Sequence, residues 1–557
     1  MKKLSSAVIK ALAIFFALVM LLLAGCSDNS KTKVAYVKDS QLYFGNTQVT
    51  QQFLDDYYEE GKRPFVSDFE NLVQTSDDGS VIYYPEKFLK GSAYTLYCKN
   101  NGGKAAKVGE QVLSYKISSD GKTAVYLDKD GCFYKFDGSQ SKMIHKDVNS
   151  YRISKDGSRI LYMTKYYTLY LKDNATGLSL LGEELIPADI SGVTRCDDNL
   201  DVIYFITNIP TEERGLTDES GFRLYICTNG KDAKLVGKGI SGPINWYYFQ
   251  ETDEVYYLSS DSYQHYEYTD YLINDLGAEG EEKFESFRGK GGDISTYSLW
   301  RCDGKQSEKI ASNVDFAGKR VDGNEVSVAF YQYKTATDEK LPLSQATTTH
   351  KIDEHIKSIY HNFDNLSVTS NGQTSVMSQT NQKFLALTND TLYFREGTNE
   401  IGGGTLYIAK IKDGKAETPK QIDNVHTCVM FGDSVVYIKD YIGANSTYGG
   451  DLYIDEQKVA DNVMGINTYL DAEQNERLYA LTEFDGKNRS SALNVYEDGK
   501  LKKVSDNVDG TRIYNHQGGL VYIKSSNTQT LTGTLCVYNN AQNKEISKNV
   551  YAVLCND

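Results

Sequence analysis

From residue 34 onward the chain alternates apolar and polar positions over short runs. Clusters of glycine, aspartate, asparagine and serine separate these runs. Period-two alternation in β-branched and aromatic residues predicts half-buried strands, and the clusters predict tight turns. The strands also repeat. Ser114-Tyr115-Lys116-Ile117-Ser118-Ser119-Asp120-Gly121 returns as Ser150-Tyr151-Arg152-Ile153-Ser154-Lys155-Asp156-Gly157, and the similarity continues with Tyr126 against Tyr162 and Phe133-Tyr134 against Leu169-Tyr170. One unit therefore reads as a short strand, an Asp-Gly turn, an aromatic strand, a Leu-Tyr strand and a last strand ending near a valine.

Two markers carry this grammar along the chain. Leu96-Tyr97, Leu224-Tyr225, Leu299-Trp300, Leu406-Tyr407, Leu452-Tyr453 and Val495-Tyr496 occupy the third strand. Asp147-Val148, Asn313-Val314, Asn424-Val425, Asn462-Val463, Asn507-Val508 and Asn549-Val550 close the units, several with an isoleucine shortly before: Ile144, Ile310, Ile422 and Ile546. A unit of about 40 residues with four strands cannot bury both of its faces alone, and radial stacking buries them and shortens the exposed edges. The expectation is an all-β chain, a β-propeller of four-stranded antiparallel sheets, irregular and with insertions.

Units fall at roughly 69–112, 113–148, 149–190, 191–240, 241–314, 370–425, 426–463, 464–508 and 509–550, with a further strand pair in 315–369. The final run, Tyr551-Ala552-Val553-Leu554-Cys555, and the early runs Val34–Val37 and Gln41–Phe44 fit one shared blade that closes the ring. Because ordinary propellers stop at eight blades, the expectation is about seven to eight blades with some units merged, or two propellers over residues 34–557. An all-β solenoid is the alternative architecture. The repeat resembles the TolB-like and WD40-like propeller repeats of bacteria and an exported propeller group of unknown function. The full Ser-x-Asp-Gly form stands only at 76–79, 118–121 and 154–157. The resemblance implies a binding or scaffolding surface and no particular reaction.

Three segments break the rhythm, near 49–68, 261–294 and 345–366. The second carries Tyr263, Tyr266, Tyr268 and Tyr271 beside Glu267, Asp270 and Asp275, and reads as a surface excursion whose tyrosines offer contact area to a protein, peptide or sugar. The competing reading has those tyrosines packing inward as a cap. The third places Ile352, His355, Ile356, Ile359, Tyr360 and Phe363 at helical spacing.

The N-terminus differs from the rest. Lys2, Lys3 and Lys10 precede an apolar run from Ala11 to Ala24, which ends in Leu23-Ala24-Gly25-Cys26. A positive segment before a short apolar one is the layout of a secretory signal, too short for the roughly 20 residues of a spanning helix. The ending resembles the lipobox of bacterial lipoproteins. That resemblance implies a signal peptide over 1–25, cleavage before Cys26, diacylglycerol and palmitate on Cys26, and a polar tether over 26–33. The expected location is outside the cytoplasm, anchored to the cell membrane in the cell envelope.

The net charge of −15 and its scattered acids argue against nucleic acid as a partner. Of nine cysteines, those at 98, 227, 302 and 536 recur at similar strand positions, as small buried hydrophobes do, and the eight other than Cys26 are expected to be mostly free and buried. No nucleophile elbow, P-loop or dinucleotide fingerprint occurs. His350, His355 and His361 are spaced five and six apart, which misses the facing of a metal pair. Asp128-Lys129-Asp130-Gly131 reads as a hairpin turn rather than a calcium loop. The expectation is a non-catalytic surface lipoprotein that binds a protein, peptide or envelope polymer, with no cofactor, metal or catalytic residue. The alternative is a glycan- or peptide-processing hydrolase or lyase with a site assembled from several blades.

Mass spectrometry of the mature N-terminus is expected to find Cys26 as the first residue and acylated. Cys26→Ser should release the protein from membranes or leave it unprocessed. An unmodified Cys26, or a start elsewhere, would overturn the anchor.

Overall fold

The computed structural model describes residues 33–50, 72–88, 93–100, 103–209, 221–322, 325–370, 373–378, 383–388, 391–396, 403–412, 415–444, 447–516, 518–527 and 529–554. Residues 1–32, with Leu23, Ala24, Gly25 and Cys26, and most of the 49–68 segment lie outside them. Among the described residues no helix is long and apolar enough to cross a membrane.

The chain forms one antiparallel four-stranded sheet after another. Blade 3 shows the pattern plainly: Val148–Ile153, Arg159–Thr164, Leu169–Asp173 and Gly177–Gly182 pair in sequence order. Blade 1 is built from Gln74–Thr75, Val81–Glu86, Tyr94–Asn100 and the first half of Ala106–Ile117, and the second half of that last strand opens blade 2. Lys420–Phe431, Gln457–Leu470, Lys500–His516 and Gln542–Leu554 serve two blades each in the same way. Blades 4, 5 and 6 start at Thr194–Cys196, Trp246–Phe249 and Val314–Asp322, and blade 7 at Lys383–Leu387. Blades 8, 9 and 10 open in the second halves of the three shared strands beginning at Lys420, Gln457 and Lys500. The end of Gln542–Leu554 then pairs with Ala35–Lys38, which pairs with Gln41–Phe44, which pairs with Thr47–Gln48. Both ends of the chain thus build the closing blade, as the sequence suggests.

The all-β propeller architecture is what the structure has, irregular and with insertions, and its described strands group into eleven four-stranded units. Each sheet shares an apolar core with the next. Ile82 and Tyr84 of blade 1 pack on Val37 and Leu554 of the closing blade, and Val521 and Leu535 of blade 10 pack on its other face with Tyr36 and Val553. Intermediate cores join blades 1 to 10 in chain order. The units drawn from the sequence follow these groups, except that Gln373–Ser378, placed in the 370–425 unit, pairs with Phe363–Ser370 of blade 6.

At nine described junctions the residue that ends one blade and precedes the next has left-handed backbone. It is Gln111, Asp147, Glu184, Gly239, Asn313, Asn424, Asn462, Asn507 and Asn549, with φ between 53° and 77°. Side chains with a β-carbon adopt this region at a cost that asparagine and aspartate bear best. The conformation turns the chain from the outer strand of one blade to the inner strand of the next and buries the following residue: Val112, Val148, Leu185, Ile240, Val314, Val425, Val463, Val508 and Val550 are all buried. The turned carbonyl accepts an N–H from the end of the second strand of the blade ahead: Lys129 on Gln111, Lys165 on Asp147, Asn208 on Glu184, Tyr333 on Asn313 and Ser525 on Asn507, at 2.7–3.0 Å.

The Leu-Tyr marker has an equally local cause. The leucine enters the core, while the aromatic residue beside it stacks on the aromatic directly opposite in the second strand. These pairs are Tyr84–Tyr97, Tyr126–Tyr134, Tyr162–Tyr170, Phe205–Tyr225, Phe394–Tyr407 and Tyr437–Tyr453, with ring centroids 4.9–6.0 Å apart. Cross-strand aromatic pairs contribute about 0.5–1.5 kcal/mol each beyond the area they bury. Room for the second-strand ring comes from glycine in the preceding blade: a β-carbon at Gly109 would sit 2.6 Å from the Tyr126 ring, and one at Gly182 2.6 Å from Phe205.

Asn507→Val should destabilise the chain by about 1–2 kcal/mol, because a β-branched side chain is forced into the left-handed region, while Asn507→Gly should be close to neutral. Urea midpoints of the two variants check this. Equal midpoints would remove the conformational argument.

Candidate functional site

The sequence points first to the 261–294 excursion. In the structure it is an ordered arm rather than a loop. Glu254–Glu267 and Gly291–Cys302 continue past blade 5 as a paired ribbon as far as Glu267 and Gly291. Between them lie single turns at Tyr268–Tyr271 and Gly277–Gly280 and a short helix, Glu281–Glu285. The third insertion supplies the helix expected of it, Thr349–Tyr360, capped by the Thr348 hydroxyl accepting from the Lys351 N–H at 3.2 Å. The two insertions pack together: Tyr266, Tyr268, Leu272, Phe287, Ile352 and Ile356 share a core. A two-strand parallel contact, Leu272–Ile273 with Leu341–Pro342, ties them again.

This corrects the exposure expected of the tyrosines. Tyr266 and Tyr268 are 8 % and 7 % exposed and face the helix. The Tyr266 hydroxyl donates to Asp353 at 3.1 Å, and burial together with that carboxylate pushes its phenol up to about 12. Tyr271 is half-buried, its hydroxyl 2.8 Å from that of Tyr360. Tyr263 lies on the ribbon, and its side chain is outside the described residues. The inward, capping alternative describes Tyr266 and Tyr268. Ile356→Ala should therefore cost about 2–5 kcal/mol, read as faster hydrogen exchange over residues 268–287 with the blades unaffected. Loosening of blades 1 to 4 in the same experiment would show that the insertions are not a separate packing unit.

The other chemical candidates are structural. Asp128 caps its own hairpin, its carboxylate accepting the Asp130 and Cys132 N–H groups at 2.9 Å. His350 meets Glu354 at 3.3 Å, His355 meets the Glu339 carbonyl at 3.3 Å, and His361 stacks on Tyr333 at 5.1 Å. These three histidines do not converge. Among the described residues no group of three or more His, Cys, Asp or Glu is placed to hold a metal. Among the described residues no disulfide joins the seven cysteines, 98, 132, 196, 227, 302, 428 and 536, and four of them are buried.

A cavity of about 950 Å³ opens along the inner strands of blades 1 to 4. Its polar groups are largely committed to holding blades together. In each Ser-x-Asp-Gly turn the buried serine hydroxyl donates to the aspartate at 2.7 Å, at Ser76–Asp78, Ser118–Asp120 and Ser154–Asp156. Successive turns are clasped by backbone bonds of 2.8 Å, from Asp77 N–H to Ser119 C=O, Ser119 N–H to Lys155 C=O and Lys155 N–H to Asp198 C=O. In blade 4 Asp197 replaces the serine and accepts the Val202 N–H at 2.7 Å. The Cys196 thiol, 3.5 Å from the Arg152 guanidinium, is pushed up by burial and so stays a thiol.

The opposite side of the ring is different. A cavity of about 850 Å³ lies where blades 8, 9, 10 and the closing blade meet, and a second of about 500 Å³ adjoins it toward the outer strands of blades 8 and 9. Tyr448 and Phe484 line both, with rings 5.0 Å apart at 83°. Met464, Leu531 and Tyr551 add apolar wall to the larger cavity, and Leu531 is half-exposed. Its charged groups are Arg489, Arg512 and Asp509. Asp509 is turned to its own loop, accepting from the Thr511 N–H at 3.1 Å, the Thr511 hydroxyl at 2.7 Å and the Ser526 hydroxyl at 3.2 Å. Arg512 donates to the carbonyls of Leu531 and Tyr551. Arg489 stands exposed in the turn between the second and third strands of blade 9, with left-handed backbone at φ 53°. Among the described residues it meets no carboxylate. None of these residues was singled out by sequence reasoning, because each comes from a different blade and no motif links them.

No protein-family model matches the chain, and no curated protein matches it. Solved structures similar to it include the β-propeller domain of the Trilobed protease from Pyrococcus furiosus, 13 % identical over 63 % of this chain and 97 % of that one, with a TM-score of 0.26. Two others are the acylaminoacyl peptidase of Pyrococcus horikoshii, 13 % identical with a TM-score of 0.21, and a puromycin-hydrolyzing peptidase of Mycobacterium tuberculosis, 11 % identical with a TM-score of 0.26. The matched spans cover 76 % and 64 % of this chain, and 59 % and 52 % of those two. At these identities and TM-scores neither their fold nor their chemistry is carried over.

Proposed function

We propose that the chain is a non-catalytic binding module, held outside the cytoplasm by a lipid on Cys26, whose groove across blades 8 to 10 receives an extended segment of a protein, a peptide or an envelope polymer. The observation that carries this reading is the pair Tyr448 and Phe484, which forms a common wall of two adjoining cavities. An apolar notch flanked by polar rims on both sides suits a ligand longer than one cavity. Nearby apolar exposure adds to it: Ile442, in the same hairpin as Tyr448, is 59 % exposed. The groove sits on loops joining strands of a stacked scaffold, where contact residues vary without disturbing the core.

A photo-crosslinking residue placed at 448 in the full chain, in native membranes, should trap a partner. The same residue at Tyr166, exposed on blade 3, should not. Trapping at 166 with none at 448 would overturn the groove. Recovery of the partner intact after incubation supports a binder, whereas cleaved fragments would favour the processing-enzyme alternative.

A further inference from the structure

The groove has a polarity that narrows its ligand, and the ligand assigned to it rests on the binding role proposed for that groove. The protein carries a net charge of −15, yet the larger cavity holds two arginines against one aspartate. That aspartate uses both carboxylate oxygens on Thr511 and Ser526. Arg512 is fixed by two backbone carbonyls, which orient its guanidinium without neutralising it. Arg489 is left with its planar set of donors facing solvent at the cavity mouth. The adjoining cavity has the opposite sign: its charged lining residues are Asp461 and Glu483, paired at the surface with Lys458 and Lys503. Between the two lies the edge-to-face pair Tyr448 and Phe484.

We infer that the larger cavity captures the C-terminal carboxylate of a peptide whose last side chain is apolar, with the preceding residues crossing the Tyr448–Phe484 wall into the second cavity. Three features lead to this ligand. A guanidinium offers paired N–H donors that match a carboxylate, and a single uncommitted arginine balances a single negative charge. A phosphate, with close to two charges at neutral pH, finds only Arg489 free. Met464, Phe484, Leu531 and Tyr551 provide an apolar enclosure for a side chain beside the charge. The edge-to-face arrangement of Tyr448 and Phe484 forms a notch rather than the flat platform on which a sugar ring stacks.

Fluorescence polarisation on the full-length protein in detergent micelles tests this with three labelled probes: the hexapeptide Gly-Ser-Gly-Ser-Ala-Phe with a free C-terminus, its C-terminal amide twin, and a tetrasaccharide of uronic acid as the other common source of a carboxylate. The free acid should bind at least tenfold more tightly than the amide, since a charge-assisted hydrogen bond is lost in the twin. Arg489→Gln should remove that difference while leaving the amide's weak binding in place, Arg489→Lys should keep part of it, and Phe484→Ala should weaken both peptides together. Equal affinity for acid and amide overturns the carboxylate assignment. Tighter binding of the uronic tetrasaccharide overturns the peptide. Absence of binding by all three probes, with crosslinking from 448 retained, overturns this inference and leaves the groove as a site for another ligand; loss of that crosslinking as well removes the groove itself.

Discussion

A carbonyl turned by one left-handed residue links one blade to the next at five described junctions. The outer strand of a blade must travel back to the channel to begin its neighbour, and a regular strand cannot make that change of direction. Asn507 makes it with φ at 55°, passes its carbonyl to Ser525 in the blade ahead and delivers Val508 into the shared core. The backbone bond and the apolar burial are inseparable, because the same torsion sets both. At the other end of the inner strands the Asp-Gly turns repeat the device, each turn bonding to the next through main-chain groups. Backbone bonds at both ends therefore fix the angle between the early blades, and side chains fill the space that angle leaves.

That division explains which sequence features could be read and which could not. The Asn-Val and Asp-Val markers were legible because the left-handed region selects a short polar side chain and the next position selects a buried β-branched one. The Leu-Tyr marker was legible because stacking occurs between directly opposed strands, a local relation. The blade units were legible too, while their grouping into one ring or two was left open, because no residue in the chain sets it. The inward packing of Tyr266 and Tyr268 was legible only as an alternative. Their partners, Asp353 and Ile356, arrive from the next blade's insertion, and a sequence window around residue 266 contains nothing that requires them.

The groove was illegible for a related reason. Tyr448 belongs to blade 8, Phe484 and Arg489 to blade 9, Asp509 and Arg512 to blade 10 and Tyr551 to the closing blade. Each follows the ordinary grammar of its own unit. Only the angle between blades brings them to one cavity, so the site is a property of the ring and not of a repeat. The cavity of blades 1 to 4 shows the reverse case: its serines and aspartates form the most regular motif in the sequence, and the regularity reflects the inter-blade clasp they build.

The closing blade sets an order on assembly. Ala35–Lys38 is paired on one side with Gln41–Phe44, its near neighbour, and on the other with residues 550–554. The first pairing forms as soon as a hairpin can, within microseconds. The second joins positions separated by almost the whole chain, and during synthesis it waits for every intervening blade. Until then one edge of Ala35–Lys38 stays unpaired, and the core it shares with Ile82 and Tyr84 lacks Ala552 and Leu554. A chain halted before residue 550 would carry an unsealed strand edge and an apolar face at its beginning, where other strands or quality-control proteases can engage them. Completion of the last strand thus reports the closing of the blade shared by residues 35–48 and 550–554.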